Sequence, residues 1–309
     1  MKIESQIEKI SRFQHLELLA NQVVEGFISG MHKSPFHGFS AEFAEHKVYN
    51  VGESTKHIDW KLFAKTDRLY TKRFEEETNL RCHIIIDNSS SMYYPELSDK
   101  QVFYENKIGF SVLASAVLMN LLKKQRDAIG LSVFSDTYDY YAPEKGSGRH
   151  HRMILNALEN LLEKPTIKKK TDTITFLHQI AEKIHRRSMI ILFTDMFQSG
   201  NEEALFNALH HLKHNKHKVV LFHVVDNKTE LNFDFDNAPR KFIDVETGEE
   251  VAIFADNVKQ EYEKQTERYF KKLALTCAQN RIKYVPVGVG ESFENILTTY
   301  LVEKQNFVK

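Results

Sequence analysis

The pattern of apolar and polar positions predicts buried strands that alternate with amphipathic helices. Continuously apolar runs at 82–87, 188–194 and 218–225 are typical of strands with both faces covered. The other predicted elements are strands at 67–75, 128–134, 138–142 and 283–289, and helices at 3–30, 104–124, 149–163, 172–187, 202–214, 262–280 and 292–303. This alternation predicts an α/β fold: an open, mostly parallel sheet with helices on both faces.

Two parts of the chain depart from that alternation. Residues 1–76 combine one predicted helix with loops and short extended pieces, interrupted at Ser34-Pro35. Residues 226–255 also break the rhythm, and the pattern around Thr247-Gly248 predicts a β-hairpin insertion. We therefore expect a smaller N-terminal helix and strand segment, 1–76, and an α/β domain, 77–309, that carries the insertion.

Composition and charge exclude several classes of protein. Among the 309 residues, 42 Lys and Arg balance 42 Asp and Glu, which argues against nucleic-acid binding. Cys82 and Cys277 are too few for a disulfide framework or a four-cysteine zinc site. The charged N-terminus and the absence of a long apolar run argue against an export signal and against direct membrane insertion. We expect a cytoplasmic protein.

Oxygen-bearing side chains follow the predicted buried strands. Asp87, Ser89 and Ser91 follow the first, Asp195 ends the second after Thr194, and Thr171 precedes a predicted helix. In open α/β sheets, ligands bind beyond the carboxyl ends of the strands. Carboxylate and hydroxyl oxygens are hard ligands that suit Mg²⁺ or Mn²⁺. These residues are therefore candidate metal ligands.

Other interpretations of these residues stay open. Asp87, Ser89 and Ser91 could cap the following helix, which would leave a metal-free scaffold. The same oxygens could serve a metal-dependent phosphohydrolase, although Ser89 stands where phosphoaspartyl hydrolases carry a second acid. The sequence contains no phosphate-binding Gly-x-x-x-x-Gly-Lys-Ser/Thr loop, Gly-x-Ser-x-Gly elbow or His-Glu-x-x-His motif. We therefore expect a binding protein and not an enzyme.

Several motifs carry a family resemblance. Asp87-x-Ser89-x-Ser91 with Met92, a later threonine and Thr194-Asp195 resemble the metal-ion-dependent adhesion site of von Willebrand factor A domains. The chain is also similar to the family called domain of unknown function 58, which joins an N-terminal segment to such a domain. The motifs behind this second resemblance are Gly30-Met31-His32-Lys33-Ser34-Pro35-Phe36-His37-Gly38, Glu42-Phe43, His57-Ile58-Asp59-Trp60-Lys61, Phe74-Glu75 and Asp244-x-Glu246-Thr247-Gly248-Glu249.

The resemblance implies a von Willebrand factor A-like fold and a metal-dependent interaction module, often encoded beside MoxR-type AAA+ ATPases. It implies that Ser89, Ser91 and Thr171 hold Mg²⁺, with Asp87 and Asp195 acting directly or through water. A Glu or Asp of the partner, a MoxR-type ATPase or its target, would complete the coordination. Lys170 stands where the family often has Gly, which makes Thr173 a rival ligand to Thr171.

The remaining polar clusters are interpreted as structural. Trp60, the only tryptophan, is expected to anchor the N-terminal segment onto the core. Four histidines near the end of one predicted helix are expected to lie on a solvated face, although a zinc or nickel site is an alternative; they are His210, His211, His214 and His217. The runs 149–152 and 168–170 are expected at the surface, and Asp234 and Asp236 in a solvated loop.

Overall fold

The chain forms two compact units, one of residues 1–28 with 80–309 and one of residues 29–79. The computed structural model describes residues 16–29, 46–48, 60–72, 80–98, 101–135, 138–163, 173–196, 202–235, 239–243 and 250–308. Helix α1, residues 16–29, buries Leu16, Ala20 and Val24. This helix therefore groups with the larger unit, whereas the sequence division placed it in one segment over 1–76.

The described part of the smaller unit contains a two-stranded antiparallel sheet and one helix. Strand β1 (His46–Val48) pairs with β2 (Tyr70–Lys72), and helix α2 spans Trp60–Thr66. Trp60 is 62% exposed and meets only the edge of the Phe63 ring among described aromatic neighbours. Trp60 is therefore mostly exposed in the described part of this unit, and its predicted contact with the core stays a prediction.

The larger unit is built on a six-stranded sheet. Its strands, together with a separate hairpin, are β3 (Arg81–Asp87), β4 (Ala128–Phe134), β5 (Tyr138–Lys145), β6 (Met189–Thr194), β7 (Lys218–Val225), β8 (Pro239–Ile243), β9 (Glu250–Phe254) and β10 (Lys283–Gly288). The order across the sheet is β10-β7-β6-β3-β4-β5. All neighbours are parallel except β4 and β5, and β8 pairs with β9 as the predicted hairpin insertion.

Helices cover both faces of this sheet. They are α3 (Lys107–Lys124), α4 (Gly148–Glu163), α5 (Thr173–Lys183), α6 (Glu202–His214), α7 (Ala255–Gln279) and α8 (Glu294–Val308). Helices α3, α4 and α8 pack on one face, and α5, α6 and α7 share a buried apolar core on the other. The predicted fold class, an open and mostly parallel α/β sheet, is confirmed. None of the described helices is long and apolar enough to cross a membrane.

Two predictions about individual segments need correction. Helix α7 begins at Ala255, seven residues before the predicted start, because its first turns are largely exposed and show no apolar face. His150 and His151, expected at the surface, are each only 6% exposed. The His150 ring nitrogen Nε2 bonds the carbonyl of Ile129 at 2.9 Å, so α4 is tied to β4 by a side chain within a basic run. The run 168–170 lies outside the described residues.

The loop that begins the insertion combines an exposed acid with a buried aromatic ring. Phe233 is 7% exposed and packs against the rings of Phe235, Phe242 and Tyr262. Its backbone adopts φ +44°, in the left-handed region that side chains rarely occupy. This loop is therefore held by an aromatic cluster of its own. Asp234 is exposed, as predicted, and Asp236 lies outside the described residues.

The order of the strands places a topological switch point at the carboxyl edge of the sheet, which is where open α/β sheets form a ligand crevice. Strand β3 lies between β4 and β6, and α3 leaves β3 on one face while α6 leaves β6 on the other. At such a switch point the two loops separate and leave room for a ligand. Asp87 ends β3 and Asp195 follows β6, so both candidate acids lie at this crevice.

Candidate functional site

Asp87 is held in one orientation at the end of β3. The backbone amide of Ser89 donates to its Oδ1 atom at 3.0 Å, and the Thr194 hydroxyl donates to Oδ2 at 2.7 Å. Thr194 in turn accepts a bond from the amide of Met196. Both oxygens of this buried carboxylate are therefore positioned before any ligand arrives, which lowers the cost of ordering them on binding.

Two serine hydroxyls lie next to Asp87. The Oγ atoms of Ser89 and Ser91 are 3.0 Å apart and both residues are buried. Ser91 belongs to a single 3-10 turn, Ser90–Tyr93, for which the Ser89 side chain makes no capping bond. Helix α3 is capped by Asn106, whose side chain accepts from the amide of Gly109 at 2.9 Å. The interpretation of the serines as helix caps is therefore wrong.

A buried lysine meets the second candidate acid. The Nζ atom of Lys107 lies 2.8 Å from Oδ2 of Asp195 and 2.5 Å from Oε1 of Glu230. Lys107 is the first residue of α3 and is 1% exposed. Sequence reasoning missed both Lys107 and Glu230. Lys107 is 88 positions from Asp195 and 123 positions from Glu230, so no local spacing predicts these contacts.

Among the described residues, the balance of charge at this crevice is negative. Asp87, Asp195 and Glu230 supply three carboxylates, and Lys107 supplies one ammonium group. Burial, together with the charge of Asp195, raises the pKa of Asp87 to about 7. Burial alone would lower the pKa of Lys107, but the charges of Asp195 and Glu230 outweigh it and raise that pKa. Lys107 is therefore charged, and the unmatched carboxylate at Asp87 favours a further cation.

The main chain of Asp195 is held by a neutral histidine. The carbonyl of Asp195 lies 2.8 Å from Nε2 of His223 and can only accept, so Nε2 carries the proton. The Tyr284 hydroxyl then donates to Nδ1 at 2.7 Å. Burial lowers the pKa of His223 to about 4, so the imidazole is uncharged at neutral pH. His223 thus fixes Asp195 without adding a second positive charge.

The donor set fits a hard divalent cation. Asp87, Ser89, Ser91 and Asp195 are gathered at one crevice, offer carboxylate and hydroxyl oxygens, and leave negative charge to be neutralised. Among the described residues, no three His, Cys, Asp or Glu side chains are grouped to hold a metal by themselves. A cation here would therefore depend on the serine hydroxyls. Thr171 lies outside the described residues, and the rival Thr173 is the buried first residue of α5.

The four histidines considered as an alternative zinc or nickel site do not form one group. His210 bonds Asn280 at 2.6 Å, while His211 bonds Glu182 and the ring of His178, both at 2.9 Å. His217 is 2% exposed and accepts from the amide of Ser188, so its expected place on a solvated face is wrong. This spread gives the alternative of a zinc or nickel site no support in the part of the chain that is described.

Comparison with known families matches most of the chain. The family model described as "Protein of unknown function DUF58" matches residues 45–272. Uncharacterized proteins of Mycobacterium bovis and Mycobacterium tuberculosis are 19% identical over 211 residues, which is 68% of this chain. The aligned region spans 63% of the length of those relatives.

The solved structures to which the chain is similar include two from Bacteroides. The conserved hypothetical protein BatB from Bacteroides thetaiotaomicron is 15% identical, with 74% of this chain and 98% of that chain covered and a TM-score of 0.43. An aerotolerance-related membrane protein from Bacteroides fragilis is 16% identical, with 74% and 99% covered and a TM-score of 0.43. The SpRpn10 VWA domain is 14% identical, with 71% and 94% covered and a TM-score of 0.38.

Proposed function

The chain belongs to the family of proteins of unknown function DUF58, and we propose that it is a metal-ion-dependent protein-interaction module. The observation that carries this proposal is the pair of serine hydroxyls, 3.0 Å apart, beside a carboxylate already oriented by two hydrogen bonds. The von Willebrand factor A-like fold and the family membership support an interaction role. The metal dependence is our extension of that role.

In the proposed mechanism, the hydroxyls of Ser89 and Ser91 bind the cation, and Asp87 and Asp195 act directly or through water. Thr171 or Thr173 would add a further hydroxyl. Because hydroxyls are neutral ligands, a divalent ion held mainly by them keeps positive charge toward solvent. A Glu or Asp of the partner then completes the coordination, so binding requires both the ion and an acidic partner residue. Mg²⁺ is the expected ion, with Mn²⁺ as the alternative.

The proposed partner is a protein, namely a MoxR-type AAA+ ATPase or a protein that it remodels. The family resemblance supports this choice, and the balanced overall charge supports a protein over a nucleic acid. We propose a cytoplasmic location for the encounter. We also propose binding without catalysis, because neither the Ser89 nor the Ser91 hydroxyl has a basic side chain among its described hydrogen-bond partners.

A binding experiment tests this proposal. The purified chain is immobilised, and a MoxR-type ATPase from the same organism is applied in Mg²⁺ and then in chelator. We expect binding only with Mg²⁺, and we expect it to be lost in Ser89→Ala and Ser91→Ala. Ser90→Ala, a buried neighbour outside the ligand set, is the matched control. Binding that is unchanged by chelator and by both substitutions would favour a metal-free scaffold.

The phosphohydrolase alternative has a separate test. The chain is screened for hydrolysis of phosphate esters with Mg²⁺ and with Mn²⁺. The binding proposal predicts no turnover above the metal-only control. Turnover that Asp87→Asn abolishes would instead show that the same oxygens serve a reaction.

A further inference from the structure

Lys107 connects the candidate metal site to the insertion that follows β7. Its ammonium group lies between Asp195, at the end of β6, and Glu230, in the single π-helical turn Asn227–Leu231. The Lys107 side chain is 1% exposed and that of Asp195 is 3% exposed, so water does little to screen this contact. A change of charge near Asp195 therefore alters the electrostatic interaction between Lys107 and Glu230.

Glu230 is well placed to transmit such a change. Its Oε2 atom accepts from the amide of Asp226 at 2.8 Å, and its carbonyl accepts from the Tyr262 hydroxyl of α7 at 3.0 Å. The carboxylate of Asp226 accepts from the amide and the hydroxyl of Thr229. The Tyr94 hydroxyl, from the loop after β3, donates to Thr229 at 2.8 Å. The turn is thus held by Lys107, by α7 and by the loop that contains the serines.

We propose that Lys107 is the internal counter-ion that a divalent cation displaces from Asp195, and that its shift toward Glu230 carries metal occupancy to the turn Asn227–Leu231. A cation that shares Asp195 with an ammonium group repels it. Glu230 already contacts the same ammonium nitrogen, so Lys107 keeps a buried partner after it leaves Asp195. This inference rests on the proposed metal site and adds to it a residue that sets its affinity.

The inference predicts that substitutions of Lys107 and of Glu230 change the affinity for a divalent cation in opposite directions. Lys107→Met removes the competing cation, so divalent affinity should rise about tenfold. Glu230→Gln removes the carboxylate toward which Lys107 would shift and leaves its ammonium group on Asp195. The affinity for a divalent cation should therefore fall about fivefold. Lys107→Arg keeps the charge and should leave affinity within about twofold. Asp226→Asn removes a carboxylate from the same turn without touching Lys107 and is the matched control for general charge.

The experiment measures two properties of the full chain. Isothermal titration with Mn²⁺ and with Mg²⁺ gives the affinity of each variant. Amide hydrogen exchange over 226–235, with and without the ion, gives the response of the turn. In the unsubstituted chain, we expect the bound ion to change the rate of amide hydrogen exchange over 226–235. In Lys107→Met, which lacks the ammonium group, we expect no such change although the ion binds. Thermal unfolding in chelator identifies any variant that fails to fold. If Lys107→Met fails to fold, the affinities of Glu230→Gln and Lys107→Arg still test the inference.

The outcomes separate this inference from the function on which it rests. If the unsubstituted chain binds neither ion, the metal-dependent function fails and the inference fails with it. If it binds an ion but Glu230→Gln and Asp226→Asn change affinity alike, Lys107 is only part of the general charge and the inference is overturned. Exchange over 226–235 that does not respond to a bound ion overturns it as well.

Discussion

The ammonium nitrogen of Lys107 lies 2.8 Å from a carboxylate oxygen of Asp195, although the two residues are 88 positions apart in the chain. Lys107 begins the helix that leaves β3, and Asp195 follows the neighbouring strand β6. The contact therefore joins the two loops that separate at the switch point of the sheet. It makes the crevice a charged site with a counter-ion of its own, in which a further cation must compete.

Asp87 is expected to reduce stability while it serves binding. Burial and Asp195 raise its pKa to about 7, so its charged form is disfavoured in the folded state. At pH 8 without divalent ions, Asp87→Asn should raise the free energy of unfolding by about 1–3 kcal/mol and weaken Mn²⁺ binding. Chemical denaturation and calorimetric titration measure the two effects. A substitution that lowers both would mean that Asp87 is a structural acid.

Asn106 should stabilise the start of α3 as its cap. Its side chain accepts from the amide of Gly109, which otherwise lacks a partner within the helix. Asn106→Ala should lower the free energy of unfolding by about 0.5–2 kcal/mol, and Asn106→Ser should recover most of that loss. Urea denaturation of the three proteins tests this. Equal losses in the alanine and serine variants would show that the capping bond is not the cause.

Gly130 is expected to be required by the packing of His83. A Cβ atom at Gly130 would stand 2.5 Å from Nδ1 of His83 and 2.9 Å from the carbonyl of Ala142. His83 cannot easily move, because it bonds Glu144 and Ser132 at 2.7 Å each. Gly130→Ala should therefore lower the free energy of unfolding by about 1–3 kcal/mol.

Gly26 provides the matched substitution for Gly130. It lies within α1, and a Cβ atom there would meet nothing within 4 Å. Gly26→Ala should raise the free energy of unfolding by up to about 1 kcal/mol, because alanine favours the helix. Denaturant titration of both variants gives the comparison. Changes of the same sign at both glycines would contradict this interpretation of the close approach at His83.

His223 should make the metal-free protein less stable in acid. Its pKa is about 4 in the folded chain, below the ordinary value of 6.5, so the unfolded chain takes up a proton first as the pH falls. Stability from this group is complete above pH 6.5 and decreases toward pH 4, by on the order of 3 kcal/mol. Unfolding free energies between pH 4 and 7.5 should depend less on pH in His223→Gln. The exposed His214→Gln is the control, and equal slopes in all three proteins would contradict the prediction.

Predictions succeeded where one short segment carried its own signal. The runs that became β3, β6 and β7 are continuously apolar because both faces of these strands are buried, so strand type and burial follow from composition alone. Asp87 and Asp195 could be placed at one crevice because parallel strands end at the same edge of the sheet. The structure brings them together with Ser89 and Ser91.

Predictions failed where distant contacts override the local pattern. No local pattern singled out Lys107, which is buried because two acids from later loops contact it. His151 lies in a run of basic residues, which predicted exposure, but α4 places it against the body of the domain.

The most direct test of the proposed function is the titration of the metal-free chain with Mg²⁺ and with Mn²⁺ by calorimetry. The serine pair beside Asp87 predicts one ion per chain, with binding lost or weakened at least about tenfold in Ser89→Ala and Ser91→Ala and kept in Ser90→Ala. Failure of the unsubstituted chain to bind either ion, or equal binding by all three serine variants, would contradict a metal-dependent role for this crevice.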